Sequence, residues 1–115
     1  MPLLRLQTSV SLTDEKRQEL LASLSKIVAE SIGKPEQYVM VTVETGAMLM
    51  SGKPGAAAFA DIRSIGGLNG GVNSAIAQQL CALLEQALGI APARVYLNFT
   101  NVAAENWGWR GNTFG

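Results

Sequence analysis

Hydrophobic positions fall into two kinds of run along this chain. Val39, Val41 and Val43 alternate with Tyr38, Met40 and Thr42, the period-two pattern of a half-buried strand. Leu20, Leu24, Ile27 and Val28 instead recur at helical spacings of three and four, an apolar stripe on one helix face. Thr13 stands before that stripe as an N-cap, and Asp14 and Glu15 suit the positive end of the helix dipole. Gly33 supplies the stop, and Pro35 bars continuation. A helix is therefore predicted over Asp14–Ile32. Val72, Ile76, Leu80, Leu83, Leu84 and Ala87 predict a second over Gly70–Leu88, stopped by Gly89. Strands are predicted over Leu3–Val10, Val39–Glu44, Ala57–Ser64 and Arg94–Asn101.

A repeat underlies these elements. The stretch Gly33-Lys34-Pro35-Glu36-Gln37-Tyr38-Val39-Met40-Val41-Thr42-Val43 is echoed by Gly89-Ile90-Ala91-Pro92-Ala93-Arg94-Val95-Tyr96-Leu97-Asn98-Phe99, an offset of 56 residues. The same offset carries Leu3–Val10 onto Phe59–Gly66 and Asp14–Ile32 onto Gly70–Leu88. One domain over residues 1–115 is expected, built from pseudo-repeats of about 2–56 and 57–115. Each half reads strand, helix, strand, a right-handed unit with parallel strands. The fold class is α/β (α+β): two such units make a four-stranded mixed sheet with both helices on one face. The strands carry apolar residues on both parities, Leu3 beside Leu4, Val39 beside Met40 and Val95 beside Tyr96. A bare apolar sheet face is expected from that, and with it burial against further copies of the chain.

Charge and composition narrow the function classes. Nine Lys and Arg balance nine Asp and Glu for a formal charge of zero, which argues against a nucleic-acid partner. Charged residues are only 16% of the chain, a surface prone to self-association. There is no histidine, so Ser-His-Asp and Cys-His catalysis and His-containing zinc sites are excluded. The single cysteine, Cys81, permits no internal disulfide. In the apolar run Gln79-Leu80-Cys81-Ala82-Leu83-Leu84 it reads as a small buried core residue. No signal-peptide core and no membrane-spanning apolar stretch are found, so a cytoplasmic protein away from membranes is the default, with export without a signal left open.

Few groups remain for acid–base work: two Asp, seven Glu, four Lys, two Tyr and the α-amine. Ile65-Gly66-Gly67-Leu68-Asn69-Gly70-Gly71 is glycine-rich but fits neither nucleotide-binding spacing, and reads as a strand-to-helix joint. Pro2 follows the initiator Met, which methionine aminopeptidase generally removes before so small a residue. The product would be a secondary amine. An α-amine titrates near 7.7–8.0 in reference peptides, and desolvation or a nearby cation lowers that value. Such a group can act as a base near neutrality. Lys34, just past the first helix, can cap helix carbonyls or hold a substrate carboxylate.

Pro2, Gly33-Lys34-Pro35-x-x-Tyr38, Ser64-Ile65-Gly66, Arg94-Val95-Tyr96-Leu97-Asn98 and the tail Asn106-Trp107-Gly108-Trp109 to Phe114 together resemble the macrophage migration inhibitory factor family of the tautomerase superfamily. The resemblance runs through almost the whole chain. It implies a homotrimer with sheets around a central axis. It implies keto–enol tautomerisation of phenylpyruvate-like arylpyruvates, or of dopachrome-type analogues, without a cofactor or metal. Under it, Pro2 is the catalytic base, Lys34 binds the substrate's carboxylate or carbonyl oxygen, and Ile65 contributes a backbone N–H. Tyr96 and Asn98 reach in from a neighbouring subunit, while Tyr38, Trp109 and Phe114 shape an aromatic wall.

The chain also departs from the family pattern. Ala57 and Ala60 stand where some vertebrate members carry a Cys-x-x-Cys pair, so thiol oxidoreductase activity is not expected. Trp107 replaces a smaller aliphatic residue and narrows the expected pocket. Ser11-Leu12-Thr13 and Thr45-Gly46-Ala47 lack an obvious match to the mammalian receptor-contacting loops, so receptor binding is not implied. The alternative to an enzyme is a non-catalytic, cytokine-like signalling or binding trimer. A ferredoxin-like RNA-binding module shares the strand–helix–strand order, but Thr42, Glu44 and the zero net charge speak against it.

Overall fold

Two capped helices lie over a four-stranded sheet in the computed structural model, which describes residues 1–115. Strand β1 (Pro2–Thr8) pairs in parallel with β2 (Met40–Thr45) and antiparallel with β3 (Ala58–Ser64). Strand β4 (Val95–Asn101) runs parallel to β3, so the order is β2-β1-β3-β4 in a mixed sheet. Helix α1 (Asp14–Ile32) follows β1, and α2 (Gly70–Leu88) follows β3. Both helices keep the predicted bounds because their caps are written locally. The Thr13 hydroxyl accepts from the Lys16 N–H at 3.1 Å, and the Asn69 side chain accepts from the Val72 N–H at 2.9 Å. Gly33 and Gly89 end the helices in the left-handed region, with φ of 76° and 67°.

The strands differ by a residue or two from the sequence pattern, for identifiable reasons. β1 stops at Thr8 rather than Val10, because the Thr8 hydroxyl donates to the Ala57 carbonyl at 2.9 Å and accepts from the Val10 N–H at 3.2 Å. β2 starts at Met40 rather than Val39, because a 3₁₀ turn over Glu36–Tyr38 takes the Val39 N–H at 3.0 Å. An equivalent turn, Pro92–Arg94, precedes β4. A further hairpin, β5 (Gly108–Trp109) with β6 (Asn112–Thr113), closes the chain.

The core lies between sheet and helices. Leu4 and Leu6 of β1, Ala60 and Ile62 of β3, Leu24 and Val28 of α1, and Ile76, Leu80 and Leu84 of α2 are fully buried. Each buried aliphatic side chain of this size contributes about 1.5–3 kcal/mol relative to exposure. Cys81 is not part of that buried set. It lies one residue, about 100° around the helix, from Leu80, and is only partly buried. Burial and then the nearby Glu85 carboxylate push its thiol above the ordinary range, which keeps it protonated and unreactive. No helix is long and apolar enough to cross a membrane.

The other sheet face corrects an expectation. The register sets three cross-strand rows there: Met40–Leu3–Arg63–Thr100, Thr42–Arg5–Asp61–Asn98 and Glu44–Gln7–Phe59–Tyr96. Most of these positions are polar, so the face is not apolar. Val39 lies outside the strand, and the buried Val95 faces the helices, which leaves Leu3, Met40, Phe59 and Tyr96 as its apolar members. Arg5 ties the middle together, 3.9 Å from Glu44 and 4.0 Å from Asp61, while Arg63 reaches Asp61 at 3.3 Å. The apolar-face argument for oligomerisation loses its force accordingly.

Candidate active site

Pro2 opens β1 opposite Ser64 and is fully buried. Beside it lies a cavity of about 400 Å³ walled by three segments: Met1 to Leu3, Gln37 to Met40, and Trp107 to Trp109. Most of its lining side chains are apolar. None of these segments is near another in sequence. The parallel pairing of Leu3 with Met40 joins the first two. The third is folded back by the Phe114 N–H, which donates to the Trp107 carbonyl at 3.1 Å.

Lys34 is held at the end of α1 by the helix stop itself. The Gly33 and Lys34 N–H groups both donate to the Ala29 carbonyl, at 2.9 and 3.1 Å. Its ammonium donates to the Ile65 carbonyl at 3.1 Å, so Lys34 and Ile65 meet, through the carbonyl of Ile65. The joint after β3 is shaped for this contact. Ser64 donates its hydroxyl to the Gly66 carbonyl at 2.7 Å. Gly67, at φ 81°, lies so close to α1 that a Cβ there would sit 2.7 Å from Ile32 Cγ2. The α-amine at Met1 is pushed below its ordinary value of 8.0, first by burial and then by the Lys34 charge. Both causes disfavour the cation.

The aromatic wall is continuous. Trp109 meets Tyr38 edge-on at 6.0 Å and stacks on Phe114 at 5.7 Å with 9° between planes. Such pairs contribute about 0.5–1.5 kcal/mol beyond area burial. Trp107, which the sequence offers within the tail motif and as a departure but not as a site residue, lines the cavity directly, as do Gln37 and Met40, for which no sequence signal stood out.

Tyr96 and Asn98 stand apart from this cluster. Both are exposed on the open sheet face, Tyr96 at 67%. Register puts Tyr96 level with Gln7 and two strands from β1, roughly 20 Å from Pro2 by strand geometry. Within one chain, then, Pro2, Tyr38 and Trp109 share a cavity and Phe114 stacks behind it; the Lys34 charge acts on the terminal amine and its ammonium holds Ile65, but neither residue lines the cavity, and Tyr96 and Asn98 stand apart. No group of three His, Cys, Asp or Glu side chains could hold a metal ion. Arg94, which entered the sequence reading only as part of a motif, binds the Ala56, Lys53 and Met50 carbonyls at 2.8, 3.0 and 3.3 Å and staples the loop between β2 and β3.

The macrophage migration inhibitory factor (MIF) family profile matches residues 1–115. A macrophage migration inhibitory factor from Meriones unguiculatus is 36% identical over 115 residues, covering 99% of each chain. The crystal structure of a macrophage migration inhibitory factor-like protein from Entamoeba histolytica superposes with a TM-score of 0.95 at 38% identity, covering 98% of each chain. That of a homologue from Prochlorococcus marinus gives 0.92 at 38% identity, covering 98% of this chain and 99% of the other.

Proposed function

Since the chain belongs to the macrophage migration inhibitory factor family of the tautomerase superfamily, we propose that it is a cofactor-independent keto–enol tautomerase of phenylpyruvate-like arylpyruvates. The observation that carries this is the apolar, aromatic-walled cavity that Pro2 shares with Tyr38, Trp107 and Trp109, with the Lys34 charge acting on the chain's terminal amine next to it. Removal of Met1 makes the Pro2 nitrogen a free secondary amine at the same place. Uncharged, it takes a proton from the carbon next to the substrate's keto group. Electron density moves to the keto oxygen, and the Lys34 ammonium stabilises the charge where it develops. The proton on Pro2 then passes to that oxygen, completing the enol with no net gain or loss of atoms. The ring lies against Tyr38, Trp107 and Trp109, with Phe114 behind, and Ile65 offers its backbone N–H to the substrate's polar end.

The reading includes a homotrimer. Tyr96 and Asn98 are exposed, separated from their own chain's cavity, and placed on the sheet face that no helix covers, which suits residues completing a neighbouring subunit's site. While Met1 is present the Pro2 nitrogen is an amide without a basic lone pair, and the cavity can only bind.

Intact mass after expression, followed by enol absorbance with phenylpyruvate, tests the reading. Chain lacking Met1 turns over, and chain retaining it does not. Pro2→Gly in the processed chain lowers kcat by about 10²–10⁴, the range for a general base. Processed Pro2→Gly protein with unchanged turnover removes Pro2 from the mechanism.

A further inference from the structure

The hairpin closing the cavity carries a cation with no acid to pair with. Arg5, Arg17 and Arg63 each lie within 4.0 Å of a carboxylate, and Arg94 binds three carbonyls. Arg110 makes no salt bridge and no side-chain hydrogen bond; its guanidinium carbon instead lies 4.4 Å above the Trp109 ring. The backbone holds it there. Arg110 and Gly111 form the two-residue turn between β5 and β6, with φ of 54° and 76°, the positive values a type I′ turn requires. An arginine in that conformation is uncommon. The hairpin also frames an open cleft of about 540 Å³, and its Gly108 and Trp109 are walls of the Pro2 cavity as well. A molecule too long for the cavity therefore has a continuous path across Trp109 and onto Arg110. None of the cavity's own lining side chains is charged.

We propose that Arg110 is a specificity-determining residue that receives a negatively charged group at the far end of a substrate whose keto-acid end lies against Pro2. The preferred substrate class is then an aromatic keto acid with a second carboxylate opposite the keto-acid arm. This rests on the tautomerase reading above. The guanidinium is suited to the role because its fork of N–H donors matches a carboxylate, and stacking on Trp109 leaves that fork free at the rim.

The test compares phenylpyruvate with its para-carboxyl analogue on processed protein. An exposed ion pair contributes at most about 1 kcal/mol, so a KM about fivefold lower for the analogue is expected, shrinking as sodium chloride rises from 20 to 500 mM. Arg110→Asn deletes the charge yet suits the turn, since Asn-Gly is a favoured I′ pair; the analogue's advantage falls to about one. Arg110→Lys keeps part of it. Equal KM values in the wild type, or an advantage that survives Arg110→Asn, overturns the proposal. An equal loss for both substrates in Arg110→Asn overturns it too, by showing a hairpin role only. If neither compound turns over, the tautomerase reading fails, and the same comparison is made on their Kd values by calorimetry, where equal affinities overturn the Arg110 role.

Discussion

Gly67→Ala probes the joint that sets Lys34 against Ile65. Two costs add there. A residue with a side chain at φ 81° pays about 1–2 kcal/mol for the left-handed conformation. The new Cβ would also sit 2.7 Å from Ile32 Cγ2, well inside the ordinary carbon contact of about 3.5–4.0 Å. Ile32 belongs to the core cluster at 9% exposure, so it yields only by moving α1, and overpacking of this kind costs about 1–3 kcal/mol. The total is about 3 kcal/mol. Gly66→Ala is the control: its φ is 71°, but nothing lies within 4 Å of a Cβ there, leaving the conformational cost alone. Urea midpoints measured at one fixed protein concentration, so that any assembly is held constant, should drop about twice as far or more for Gly67→Ala. Ile32→Ala removes the clashing methyl, so its loss and that of Gly67→Ala should be less than additive by about 1–2 kcal/mol. Equal losses for Gly66→Ala and Gly67→Ala, or strict additivity with Ile32→Ala, would refute the proposed contact.

Other expectations follow from single contacts. The Met1 α-amine should titrate below 8.0 in an NMR titration of the N-terminal residue; Lys34→Gln should raise it only part of the way, because burial is the larger cause. With the folded value below the unfolded one, the folded chain binds fewer protons between the two, so stability should rise with pH through that window and level off above it; a chemical-denaturation series from pH 5 to 9 checks the sign. For the processed chain, kcat/KM should fall on acidification as the proposed base takes up a proton, and Lys34→Gln should weaken the enzyme by removing the charge that stabilises the developing oxyanion. Arg94→Met should cost about 1–3 kcal/mol for the freed carbonyls and remove hydrogen-exchange protection at the Met50 and Lys53 amides. Thr13→Ala should cost about 1 kcal/mol, read from the same urea midpoints.

What could be read from the sequence was what is encoded locally. Thr13, Gly33 and Gly89 end their helices by capping chemistry that depends on a few adjacent residues, so those three ends could be placed to the residue, while the start of α2, capped by Asn69, followed from the repeat offset. The strands slipped at Thr8 because that limit is set by a distant partner, Thr8 to Ala57 being a contact across 49 positions, and at Val39 because a 3₁₀ turn, which alternating hydrophobicity does not reveal, takes its N–H. The sheet face was misjudged for a related reason. Apolar residues occur on both parities, but only register tells which stand side by side, and register groups Arg5, Asp61, Arg63 and Glu44 together. Cys81 was misplaced by one helical step, which periodicity alone does not resolve in a run as apolar as α2. Within the site, family motifs pointed to Tyr38, Trp109 and Phe114, whose rings do meet. The hairpin that carries Trp109 has two-residue strands, too short for any period, and the lone local sign was Gly111 in its turn.

Although elements recur along the chain, the candidate chemistry occurs once. Elements recur at the offset of 56: α1 on α2, β1 on β3, and the turn Glu36–Tyr38 on Pro92–Arg94. Arg5 and Asp61 are themselves 56 apart and directly opposed in the β1–β3 pairing, so the axis relating the halves passes between them. Identical halves would set a residue against itself there, and like charges opposite one another are destabilising; an arginine facing an aspartate at 4.0 Å avoids that. Away from the axis the halves diverge further. Ala58 stands where Pro2 does, and Ile90 where Lys34 does, each essentially without exposure. Restoring a lysine at position 90 would bury a charge in the core without creating a second site. In the proposed reaction the base is a terminal nitrogen, and the nitrogen of Ala58 is a peptide amide whatever side chains surround it. The limit on the second half is therefore backbone chemistry, which no substitution within it can supply.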